Sequence, residues 1–156
     1  MVFHYLYTAI YSGYYVKEDW QLWADKLIVK SEEVENWMLE LSIANSMSDA
    51  LLAIAFEKNT EEIKKDLYYW EPDIIMGYYF IMYQEKKIDF HTLITKLYDE
   101  DDAVSESMLF DLGAFNECLD KMSKIEMITD KFSQFIAPYC SQAKYQIEYL
   151  SKYNDI

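Results

Sequence analysis

KEDWQLWADKLIV, residues 17–29, sets Trp20, Trp23, Ala24, Leu27 and Ile28 three and four residues apart. That spacing returns to one face of a helix and not to one face of a strand, whose period is two. The stretch therefore predicts an amphipathic helix with its aromatic and aliphatic stripe turned to a core. Upstream, residues 3–11 read as a helix closed by Gly13, which suits a left-handed cap. Downstream, Ser31 is the candidate cap of a third helix, with Glu32 and Glu33 in its first turn and Val34, Trp37, Met38 and Leu41 inward.

The same period continues to the end of the chain. Ser48 caps a fourth helix through Leu51, Leu52, Ala55 and Phe56, and Thr60 with Glu61 and Glu62 starts a fifth that reaches Trp70. Pro72 fits the first turn of a sixth. Its body, residues 74–83, is apolar nearly all round and predicts a central buried helix. Asp89 caps a seventh, with Phe90, Leu93, Ile94, Leu97 and Tyr98 facing in. Helices resume over 105–112, 114–124, 129–136 and 141–153, with breaks at Gly113 and Pro138. Three Gly and two Pro leave little material for tight β-turns. The expected fold is all-α: a compact multi-helix bundle of stacked helical hairpins, one helical domain over residues 1–156.

Charge narrows the function. Fourteen cations, all Lys, face 28 carboxylates, for a net charge of −14. That balance argues against direct nucleic-acid binding, which needs cations against phosphate, and against an anionic membrane surface. It favours a basic partner, with plain solubility as the rival reading. The excess is uneven. Residues 1–30 balance and residues 121–156 are slightly basic. Between 99 and 120 stand Asp99, Glu100, Asp101, Asp102, Glu106, Asp111, Glu117 and Asp120, with no Lys. Such crowding repels itself, and a partner of opposite charge gives it a purpose. Tyr occurs in adjacent pairs at 14–15, 68–69 and 78–79. Neighbours on a helix point about 100° apart, so one of each pair is expected inside and the other near the surface. Tyr69, Glu71 and Asp73 join the acids as candidate partner-binding residues.

Catalytic chemistry finds little to stand on. His4 and His91 are the histidines, and neither belongs to a metal or nucleophile–base motif. The run at 99–102 lacks the spaced ligands and the glycine of a calcium loop. Three isolated glycines make no phosphate cradle. No catalytic residue, metal ligand or cofactor is therefore expected, and a carboxylate pair is the remaining enzymatic option. Cys118 and Cys140 have neither metal nor redox spacing and read as reduced core thiols of a cytoplasmic protein, with a single bridge as the alternative. The apolar opening lacks a basic flank and a cleavage site, so neither a signal peptide nor a membrane span is expected.

Two stretches carry a resemblance: LYTAIYSGYYVKEDWQLWADKLI (6–28) and DIIMGYYFIMYQEKKIDFHTLITKLYDEDD (73–102), together about a third of the chain. The first reads as a helix, a Gly-aromatic turn and a helix, and together the two stretches resemble the immunity proteins that bacteria pair with polymorphic or contact-dependent toxins. The resemblance implies a small cytoplasmic helical protein that holds a cognate toxin or nuclease domain inactive by direct binding, with no catalytic residues. The rival readings are a nucleic-acid-mimicking inhibitor of a DNA- or RNA-binding protein, and a structural or self-associating helical module.

Overall fold

In a computed structural model, which describes residues 1–65, 72–99 and 125–153, the Trp20–Trp23 stripe lies on a helix with Trp20, Trp23 and Ala24 buried. The described residues form seven helices and no strand, so the fold is all-α. In chain order they are α1 (Val2–Tyr11), α2 (Lys17–Lys30), α3 (Asn36–Ile43), α4 (Met47–Lys64), α5 (Pro72–Gln84), α6 (Phe90–Asp99) and α7 (Ile125–Tyr153). Among the described residues no helix is long and apolar enough to cross a membrane. Packing divides the chain into two units, Met1–Trp70 with Tyr145–Ile156, and Glu71–Lys144.

In the first unit, local signals start and stop the helices. Gly13 follows α1 at φ +77, where a side chain would be strained, and its N–H reaches the Ile10 carbonyl at 3.0 Å. The Asp19 carboxylate accepts the Val16 N–H at 2.9 Å and so satisfies a free donor at the start of α2. Ser31 does not open α3; it closes α2, and α3 begins at Asn36. Short helices depend on packing, and residues 32–36 offer only the half-exposed Val34 to bury. Trp37, Met38 and Leu41 do face inward as the spacing requires.

Two further boundaries differ from the sequence expectation. The cap of α4 is Ser46, not Ser48: its hydroxyl accepts the Asp49 N–H at 3.1 Å and donates to the Asp49 carboxylate at 2.7 Å. Ser46 has the acid three residues downstream that reciprocal capping needs. The helix also runs unbroken through Thr60. Asn and Thr cost only a few tenths of a kcal/mol in a helix interior. Lys58 and Glu62 form an ion pair at 2.8 Å across the expected break.

The end of α7 completes this unit's core. Trp23 donates its Nε1–H to the Leu150 carbonyl at 3.2 Å and stacks on Tyr153, with centroids 5.9 Å apart. Tyr149 meets the edge of Tyr5 at 5.4 Å. Burying an indole removes on the order of 200 Å² from water, or about 5 kcal/mol before entropic losses.

In the second unit, every residue from Ile74 to Met82 is buried, as expected of a central helix. Tyr78 and Tyr79 both enter the core, contrary to the inside–outside split expected of adjacent tyrosines. Packing against α6 and α7 takes up more than one face of α5, and the Lys96 ammonium sits 4.9 Å over the Tyr79 ring. Asp89 caps α6 as predicted, accepting the Thr92 N–H at 2.7 Å; these hydrogen bonds hold its carboxyl below the usual range. Cys140 is buried without a disulfide, and burial pushes its thiol up to about 11. Pro138 does not break the chain into two helices; it lies exposed within α7. In the following turn the backbone of Tyr139 and Cys140 comes so close to Gly77 of α5 that only a residue without a Cβ fits there.

Candidate functional site

Helices α3 and α4 of the first unit enclose a groove of about 520 Å³. Its apolar lining comes from Val34, Trp37, Ala53 and Phe56. Glu35, Glu40 and Glu57 supply the charge. The Trp37 indole N–H donates to Glu35 at 3.1 Å, which fixes that carboxylate beside the ring. Phe56 stands 76% exposed at the lip, and on the same face of α4 Leu52 is 76% and Ile63 66% exposed. At about 100° per residue these three side chains fall within roughly 40° of one another, an apolar stripe about 16 Å long. Ala50, Ala53 and Ile54 fill the inward face instead.

The charge lining the groove is of one sign. Between Lys30 and Lys58 the chain holds Glu32, Glu33, Glu35, Glu40, Asp49 and Glu57 and no lysine. Of these, Glu35, Glu40 and Glu57 line the groove, and no lysine lines it with them. Lys58, next to Glu57, is turned away; its ammonium is held by Glu62 at 2.8 Å and lies 4.8 Å over the Tyr7 ring.

The neighbouring acids of α4 behave differently. Glu61 accepts the His4 backbone N–H at 3.1 Å and lies 3.9 Å from the Lys65 ammonium. Glu62 is shared by Lys58 and by His4 Nδ1, 3.0 Å away. Burial alone would raise the Glu62 carboxyl, but hydrogen bonds from Lys58 and His4 outweigh it and hold the group below the usual range. This cluster joins α1 to α4 and is satisfied within the molecule. His4 is thus a structural group, and His91 is exposed beside the cap of α6.

The structure places few of the residues singled out from sequence. Asp99 is exposed at the last position of α6. Asp73 lies in the first turn of α5, its side chain outside the described set. Tyr69, Glu71, Glu100, Asp101, Asp102, Glu106, Asp111, Glu117 and Asp120 lie outside the described residues, as do Cys118 and the break at Gly113. The groove carboxylates were missed. Their signal was the lysine-free run 31–57, less dense than 99–120 but of the same kind. Among the described residues no three metal-ligating side chains come together. No protein-family model, curated protein or solved structure matches the chain.

Proposed function

We propose that this chain is an acidic helical binding protein that neutralises a cognate cationic toxin domain by direct contact. The observation that carries the reading is an apolar groove on the first unit lined by three carboxylates, Glu35, Glu40 and Glu57, and by no lysine. The acids at 99–120 add charge of the same sign to the same chain. Complementary charge speeds encounter, towards roughly 10⁸–10⁹ M⁻¹s⁻¹ at low salt, while desolvated apolar anchors slow departure. A nucleic-acid mimic needs only charge against a phosphate-binding surface; the exposed Phe56 and Leu52 beside the acids favour a partner surface with an apolar component as well.

The test pairs the purified chain with the basic product of a neighbouring gene and follows association by stopped flow across a salt series. Reversal of Glu40 and Glu57 to Lys, or of Asp101 and Asp102 to Lys, slows association at low salt and leaves the helical circular dichroism unchanged. Association that ignores both salt and reversal would remove the electrostatic reading.

A further inference from the structure

We infer that the α3–α4 groove is a docking site for a cationic amphipathic helix of the partner, with an apolar side chain of that helix seated against Trp37 and Phe56. This rests on the proposed binding of a cationic protein and names how it binds. The described residues contain no strand, so an incoming segment has no sheet edge to extend. A mode that suits a groove between two helices is a helix laid in it, anchored at i, i+3, i+4 and i+7. The Leu52–Phe56–Ile63 stripe, about three turns long, continues the apolar surface along α4.

Charge chooses the occupant. Glu35, Glu40 and Glu57 line the groove and no lysine does, so the flanks of the incoming helix must carry Lys or Arg. The chain's own residues 99–120, with eight carboxylates and no lysine, are repelled from such a site. A second copy, at net charge −14, is repelled as well.

The probe is a synthetic peptide of roughly 15 residues, with Leu at helical spacing and Lys between, compared with a scrambled peptide of the same composition. Each is titrated into the full chain by calorimetry and by backbone amide shifts. The amphipathic peptide binds at least about tenfold more tightly than the scrambled one, with shifts centred on Trp37, Glu40 and Phe56. Phe56→Ala, at an exposed site, removes that preference. Glu40→Lys with Glu57→Lys weakens both peptides. Equal binding of the two peptides, indifferent to Phe56→Ala yet weakened by the reversals, overturns the groove while leaving the acidic-face reading intact. Shifts centred away from α3 and α4 also overturn it. Failure of both peptides to bind at low salt overturns the groove and the acidic reading together. Sedimentation that shows self-association abolished by Phe56→Ala overturns it by assigning the stripe to a second copy.

Discussion

Gly77→Ala tests a close approach of α5 and α7 in the second unit. An ideal Cβ on Gly77 would overlap the Tyr139 carbonyl oxygen, lie 2.6 Å from the carbonyl carbon, and sit 3.0 Å from the Cys140 nitrogen. All three are backbone atoms of α7, so no side-chain rotation clears the space. Two effects oppose each other. In a helix interior alanine is favoured over glycine by about 1 kcal/mol. Overpacking a tight site costs about 1–3 kcal/mol, and an obstruction of backbone belongs at the upper end. The net expectation is a loss of about 1–2 kcal/mol, read from the urea midpoint of the full chain at unchanged m, or a melting point lower by about 2–8 °C. Tyr139→Ala should not rescue the variant, because the obstructing atoms stay in place. Unchanged or higher stability, or rescue by Tyr139→Ala, would refute the close crossing of α5 and α7.

Two further outcomes follow from the first unit. Ser46→Ala removes the cap of α4 and lowers stability by about 1 kcal/mol in denaturant titration, whereas Ser48→Ala, two residues later on an exposed site, changes it by less than about 0.5 kcal/mol. Glu62 titrates below its ordinary 4.5 in the folded state, so the unfolded chain binds its proton first. Its contribution is therefore present above pH 4.5 and lost as pH falls through the lower folded value; Glu62→Gln should flatten the stability–pH curve on that acid side, and an unaltered curve would refute the His4–Glu62–Lys58 linkage.

Features set by a few neighbouring residues were legible in the sequence. The Asp89 cap, the Gly13 stop, Pro72 at a first turn and the apolar body of α5 each depend on local geometry, and each stands where it was expected. Features set by tertiary contact were not. Nothing near Pro138 announces that α7 runs on through it, whereas the Lys58–Glu62 pair across Thr60 is a local i,i+4 signal that the cap-like Thr60 masked. The groove was half legible. Its acids appear as a lysine-free run, but its apolar wall did not declare itself. Residues 50–56 are ALLAIAF, apolar all round the helix, so periodicity alone does not choose which side meets the core. Packing settled it by burying Ala50, Ala53 and Ile54 and leaving Leu52 and Phe56 in water.

Magnitudes explain why the apolar stripe and the carboxylates belong to one proposed interface. Burying Leu52, Phe56 and Ile63 would yield about 1.5–3 kcal/mol each, or roughly 5–9 kcal/mol together. Association itself costs an estimated 4–15 kcal/mol in lost freedom, so the stripe alone reaches no better than break-even to weak binding. The three groove acids, for their part, repel one another and at high dielectric attract a cation by only about 1 kcal/mol apiece. Neither feature makes a tight complex in isolation. A partner that covers the stripe also excludes water from Glu35, Glu40 and Glu57, and its cations then act at lower dielectric, where each pair is worth several times more. On this reading the two contributions are coupled. Phe56→Ala should therefore weaken the salt dependence of binding as well as its affinity, a coupling that independent patches would not show.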